Sequence, residues 1–162
     1  MFNKLSKLLR AMEVAANQIR RCDYSLARST LLECLAENDV FRQGYYIASK
    51  TSHAPRWIDL RANGVPFTAS WIDEAGEGQS ADYAELSERC LAEIGRSAAM
   101  ILYCEPGELL KGALVEAGAA LMAGVPVILV GRCESLSRVF RKHPLWKEME
   151  SLPEALALAG GV

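Results

Sequence analysis

Residues 98–130 read AAMILYCEPGELLKGALVEAGAALMAGVPVILV, and this stretch decides the predicted fold. Two short apolar runs, 98–104 and 126–130, have the length and composition of buried strands, and the segment 112–123 between them has helical character. A strand, a helix and a second strand in succession form the unit of a parallel sheet. Because both strands are apolar throughout, we expect helices to cover the sheet on both faces.

The same alternation extends outward from this stretch in both directions. Further strands are predicted at 45–49 and 65–71, and further helices at 54–63, 83–95 and 152–159. The sequence therefore predicts an α/β domain with a flavodoxin-like (Rossmann-like) doubly wound parallel sheet of about four or five strands.

Residues 1–43 follow a different pattern and are predicted to form an N-terminal helical extension to the α/β domain of residues 44–162. The first 42 residues contain no glycine or proline, and apolar residues recur at helical spacing over 5–19 and 26–36. We interpret the resulting helical hairpin as a cover or a dimer contact. A membrane-surface helix is the alternative, which the acidic residues of this segment disfavour.

The composition excludes several classes of protein. Among 162 residues, 18 basic and 20 acidic side chains give a net charge of −2, which argues against a protein that binds nucleic acid polymers. Apolar runs fall short of the roughly 18–20 residues that span a bilayer, so no membrane association is expected. Five cysteines without close pairing indicate reduced thiols in a cytoplasmic protein. The two histidines lack the spacing of a metal site, and none is expected.

Ligands of doubly wound sheets bind at the carboxyl ends of the strands, near the point where the strand order reverses. This rule selects the four segments that follow the predicted strands, which are residues 49–53, 71–79, 105–112 and 131–134. The candidate site is therefore expected at that edge of the sheet.

Glu116 is the most informative candidate residue. It lies about one turn into a helix of otherwise small and apolar residues, where the helix dipole favours an ionised carboxylate. Such a carboxylate can attack a sugar carbon and form a glycosyl ester. The alternative is that Glu116 only satisfies the helix terminus.

Other residues of these segments also have two interpretations. Lys50 and Lys111 suit a nucleotide phosphate, although solvated lysines are commoner. Trp71 can stack on a nucleobase whose polar edge binds Asp73 or Glu74, or it can belong to the core. His53 can contact substrate, but we expect an exposed surface histidine.

Three stretches together resemble one enzyme family. They are YYIAS at 45–49, TASWID at 68–73, and GALVEAGAALMAGVPVILV at 112–130. They are similar to the strands and signature helix of the nucleoside 2-deoxyribosyltransferases, a family that includes hydrolases of deoxynucleoside monophosphates. The resemblance covers about residues 44–158.

The resemblance implies cleavage or exchange of the N-glycosidic bond of a 2-deoxynucleoside or its 5′-monophosphate. It makes Glu116 the catalytic nucleophile and Tyr46 the residue that hydrogen-bonds it. It implies no metal or organic cofactor, and a homo-oligomer, dimeric or higher. The candidate substrate-binding residues are Ser49, Lys50, Trp71, Asp73, Glu108, Lys111 and Gly112.

Three positions depart from the family pattern. Cys90 stands where the family usually has the aspartate that handles the base, and Ala98 and Leu110 replace two further aspartates. Loss of a general acid costs about 10²–10⁴-fold in rate, which favours hydrolysis over transfer and leaves a non-catalytic nucleotide-binding module as the alternative function. Glu88, Glu93, Glu105 and Glu108 are candidate substitutes.

Overall fold

The structure is a computed structural model that describes residues 9–17, 42–75 and 82–160. The chain separates into two compact units, residues 1–41 and 42–162. In the first unit, residues 9–17 are helical, as their apolar spacing predicts. The predicted second helix at 26–36 lies outside the described residues.

The second unit contains a parallel sheet with helices on both sides, which confirms the predicted flavodoxin-like class. Its strands, in spatial as well as chain order, are β1 (Tyr45–Ala48), β2 (Ala99–Cys104), β3 (Val127–Gly131) and β4 (Trp146–Met149). Its α-helices are α1 (Ala54–Ala62), α2 (Tyr83–Arg96), α3 (Gly112–Met122) and α4 (Leu152–Gly160). The four predicted helices of this domain are confirmed.

The strand order reverses between β1 and β2. Phe67 forms a single parallel bridge with Tyr45, on the edge of β1 opposite to β2. After β1 the chain thus runs along one edge of that strand, at Phe67, and then returns through α2 to form β2 along its other edge. This reversal is the topological switch point at which doubly wound sheets bind ligands.

The predicted strand at 65–71 is wrong beyond that bridge. After Phe67 the chain turns into a 3-10 helix, Ser70–Asp73. Side chains explain the turn, because the Trp71 indole donates to the carbonyl of Ile47 over 2.8 Å and Glu93 accepts the backbone N–H of Ser70 over 3.0 Å. These bonds replace the ladder that a full strand would form.

The sequence did not predict β4, whose Lys147 and Glu148 are exposed. Strands β2 and β3, in contrast, are buried along almost their whole length.

The C-terminal end of α3 is fixed by Arg42, which donates to the carbonyls of Ala123 and Gly124 over 2.7 and 2.6 Å. Within the described residues, no helix has both the length and the apolar character needed to cross a membrane.

Substitution of Gly131 by alanine should destabilise the fold more than substitution of Gly64. Both glycines have positive φ, 89° and 94°, so alanine at either is expected to cost about 1–2 kcal/mol of strain. At Gly131 a Cβ would also collide with the Cys104 carbonyl oxygen, whereas at Gly64 nothing lies within 4 Å of it. We expect Gly131→Ala to lose at least about 3 kcal/mol by urea unfolding. Equal losses in the two variants would contradict the close approach of β2 and β3.

Candidate active site

A tyrosine–glutamate pair lies at the switch point. Tyr46 is fully buried in β1, and its hydroxyl donates to Oε1 of Glu116 over 2.7 Å. Glu116 lies in the N-terminal half of α3, the helix that follows β2. The hydrogen bond therefore joins β1 to the helix that follows β2, the neighbour of β1 across the reversal in strand order.

The surroundings make Glu116 a weaker acid than a glutamate that is exposed to bulk water. Burial raises the pKa of its carboxyl group and the negative charge of Glu93 adds to this, while the hydrogen bond from Tyr46 lowers the pKa. Burial, together with the charge of Glu116, also raises the pKa of Tyr46. The tyrosine hydroxyl consequently keeps its proton and remains a donor to the carboxylate.

Glu116 forms part of the wall of a cavity of about 620 Å³. Six of the residues predicted from the sequence line it together: Ser49, Lys50, Trp71, Lys111, Gly112 and Glu116. The other lining residues are Thr51, Tyr83, Leu86, Ser87, Cys90, Leu91, Leu109, Leu110, Ala113 and Val115. The volume is typical of a small-molecule site.

Apart from Cys90, the sequence analysis did not predict the cavity wall that α2 contributes. Five residues of this helix face the cavity, at positions 83, 86, 87, 90 and 91. Their spacing is that of one helical stripe, so the periodicity of α2 contained the signal. The charged side chains come instead from the loops after β1 and before α3 and from α3 itself, so charge is segregated within the cavity.

Two tryptophans hold the loops around the cavity. The Trp71 indole N–H donates to the Ile47 carbonyl. Trp71 therefore offers a ligand the face or edge of its ring and not a hydrogen-bond donor. The fully buried Trp57 donates through Nε1 to the Ser49 hydroxyl over 2.8 Å. Both bonds fix residues that line the cavity.

Two predicted substrate-binding residues lie elsewhere. Asp73 does not line this cavity and forms a two-point ion pair with Arg61. Glu108 accepts from His53 over 3.0 Å and lies 3.7 Å from the Lys50 ammonium group.

The expectation of an exposed His53 is wrong, because its side chain is only 14% exposed and packs edge-on against the Tyr103 ring.

His53, Glu105 and Glu108 place three atoms of metal-ligand type within 4.8 Å of one another. Existing contacts already satisfy much of this group: Lys50 faces the Glu108 carboxylate, whose second oxygen accepts the backbone N–H of Glu105 over 2.9 Å. These contacts lower the pKa of Glu108 against the effect of its burial. These contacts link the loop before α3 to the segment that follows β1.

Two of the three departures from the family pattern are found at the cavity. Cys90 and Leu110 line it and are buried, whereas Ala98 lies outside. Among the described residues that line the cavity, Glu116 is the only carboxylate. Of the candidate substitutes, Glu88 and Glu105 are exposed, and Glu93 binds the backbone of Ser70.

Comparisons of the chain with models of known protein families, with curated proteins and with solved structures find no match.

Substitution of Glu116 by glutamine should stabilise the fold at neutral pH. At low pH the carboxyl is protonated in both folded and unfolded chains, and the variant should match the wild type. As the pH rises above 4.5, the ordinary pKa of a glutamate, the unfolded chain releases the carboxyl proton before the folded chain does. The free energy of unfolding of the wild type therefore falls by about 1.4 kcal/mol for each unit by which folding raises the pKa of Glu116. Thermal unfolding at pH 4 and pH 7.5 measures the difference.

The matched control is Glu88→Gln, which removes the charge of an exposed glutamate on α2. It should leave the melting temperature nearly unchanged at both pH values. A Glu116→Gln variant that melts like the wild type at pH 7.5 would contradict a raised pKa at Glu116.

Proposed function

We propose that this protein cleaves or exchanges the N-glycosidic bond of a 2-deoxynucleoside or its 5′-monophosphate, with Glu116 as the nucleophile. The observation that carries the proposal is the Tyr46–Glu116 hydrogen bond on the wall of a ligand-sized cavity at the switch point. A carboxylate oriented in this way is the group that glycosyl transfer through an ester requires.

The reaction proceeds in two displacements. Because Tyr46 binds Oε1, Oε2 of Glu116 is the attacking atom, and it bonds to C1′ as the C1′–N bond breaks and its electron pair leaves with the base. Water then displaces the carboxylate from C1′, and its second proton ends on the base. In the exchange reaction, a nitrogen of a second base replaces water.

The segregation of charge within the cavity suits the parts of such a substrate. The sugar lies at Glu116, and the base lies along the Trp71 ring and the apolar residues of α2. Lys50 and Lys111 line the cavity as well and offer positive charge to a 5′-phosphate. The reaction needs no metal or organic cofactor.

Hydrolysis is favoured over transfer. A base acceptor needs a group that manages its proton, and the described wall offers only the thiol of Cys90 at the position where the family has its base-handling aspartate. Water needs no such recognition. The same observation favours the second candidate, a nucleotide-binding module that has lost its activity.

We also propose that the protein is a homo-oligomer and that it is located in the cytoplasm. Tyr83, Leu109 and Val115 are between 67% and 75% exposed and all line the cavity, so a second subunit that covered them would bury apolar surface and close the site. A reducing compartment would keep the buried thiols of Cys104 and Cys133 free.

Turnover should depend on Glu116. Incubation with a panel of deoxynucleosides and their monophosphates, with and without a second free base, is followed by chromatography. We expect the wild type and Glu88→Gln to release free base, and Glu116→Gln to lose at least about 10³-fold in rate because it lacks the nucleophile. A new nucleoside formed only with the acceptor would establish transfer. No turnover, with a melting temperature raised by the same ligands, would favour the binding module.

Loss of the Tyr46 hydroxyl should move the acidic limb of the rate profile to higher pH. The hydrogen bond lowers the pKa of Glu116, so Tyr46→Phe should leave the nucleophile protonated over a wider range. We expect kcat/KM to fall by about 10–100-fold on the acidic limb, from the loss of a hydrogen bond to a charged group. Tyr103→Phe removes a hydroxyl outside the cavity and serves as control; an unshifted limb in Tyr46→Phe would contradict the assigned role.

A further inference from the structure

A second cavity lies at the carboxyl end of β3. It has a volume of about 710 Å³, and Gly131, the last residue of β3, forms part of its wall. No described residue lines both this second cavity and the cavity that contains Glu116. The edge of the sheet at which the strands end is the edge where α/β sheets bind ligands, so the second cavity has the position of a ligand site.

The wall of the second cavity is strongly charged. Its described residues include three arginines, Arg132, Arg138 and Arg141, and two glutamates, Glu134 and Glu148. Positive charge is therefore in excess, although the chain as a whole is slightly acidic. How much of this charge a ligand can use depends on the contacts that each arginine already makes.

Arg141 is held in place by contacts that also occupy its counter-charge. Its Nη1 atom donates to both carboxylate oxygens of Glu148, over 2.7 and 2.9 Å, and its Nη2 atom donates to the Cys133 carbonyl over 2.8 Å. Glu148 also accepts from the Trp146 indole over 3.3 Å. A guanidinium group has five N–H donors, and these contacts use at most three of them. Arg141 is thus an oriented cation with donors that remain for a ligand.

The other two arginines of the wall are open to a ligand. Among the described residues, Arg138 is exposed and forms no hydrogen bond or ion pair. The Arg132 side chain is 81% exposed and lies 3.9 Å from Glu134, whose side chain is 72% exposed. Because so exposed an ion pair contributes little, Glu134 does not keep Arg132 from a stronger partner. Within this described wall, one fixed arginine therefore stands beside two that a ligand can engage.

We propose that the second cavity binds the phosphate group of a small polar molecule through Arg132, Arg138 and Arg141. Guanidinium groups match the oxygens of phosphate with paired hydrogen bonds, and several of them suit a group with two negative charges. The cavity is larger than a phosphate ion, and Leu136 is the one large apolar side chain among its described lining residues. The rest of the ligand is therefore polar, as in a sugar phosphate. The proposal is independent of the activity proposed for Glu116.

Phosphate binding should depend on Arg138 and increase when Glu134 loses its charge. Isothermal titration calorimetry at low ionic strength measures the binding of inorganic phosphate and of ribose 5-phosphate. We expect Arg138→Ala to weaken binding by about 10–100-fold, because charge-assisted hydrogen bonds are lost. Glu134→Gln should strengthen binding by about 2–5-fold, because it removes a competing carboxylate. The exposed Arg138 makes no contact that folding needs, so its variant should keep the melting temperature of the wild type.

Two further variants serve as controls. Lys142→Ala removes an exposed positive charge outside both cavities, and Lys111→Ala removes a cation of the cavity that contains Glu116. No phosphate binding by the wild type, equal weakening in Arg138→Ala and Lys142→Ala, or weakening in Lys111→Ala alone would overturn the proposal.

The two probes distinguish the sources of the phosphate group. Where binding depends on Arg138, a tighter complex with ribose 5-phosphate than with inorganic phosphate would identify a phosphate ester as the ligand. Equal affinities that both depend on Arg138 would identify the free ion. Either result supports a phosphate site in the second cavity.

Discussion

The hydrogen bond between Tyr46 and Glu116 is the interaction on which the arrangement of the site depends. A carboxylate against the face of an apolar sheet loses hydration, and the phenol of a buried strand residue offsets part of that loss. Its length of 2.7 Å requires that β1 and α3 be fixed relative to each other. Parallel pairing of β1 with β2, and the packing of α3 on these strands, provide that constraint.

The loops after β1 and before α3, together with helix α2, form the rest of the site around this pair. The loop after β1 and the loop before α3 bring polar and cationic groups, which Trp57 and the Glu108 network hold in place. Helix α2 brings the apolar wall and the thiol of Cys90. The result is a cavity in which charge is confined to one region, an arrangement suited to a ligand with a polar and an apolar end.

The extent to which the sequence predicts this structure depends on how local each signal is. Residues 98–130 carry strong periodic signals, and their strands and helix are found as predicted. The segment 65–71 looks like a strand locally, but its course is decided by the distant partners Ile47 and Glu93. Strand β4 is a short edge strand with exposed charges, so it lacks the apolar run that identifies a buried strand. The ion pair of Asp73 and the contacts of His53 are likewise tertiary and leave no local pattern.

A nucleophilic Glu116 forms a covalent bond to the sugar during turnover. Rapid quenching with acid during turnover of a deoxynucleoside, followed by mass spectrometry of proteolytic peptides, tests this most directly. We expect a mass gain of one 2-deoxyribosyl group on the peptide that contains Glu116, and no such gain in Glu116→Gln. Free base released without any adduct on that peptide, or with the adduct on another residue, would contradict the assignment of Glu116 as the nucleophile.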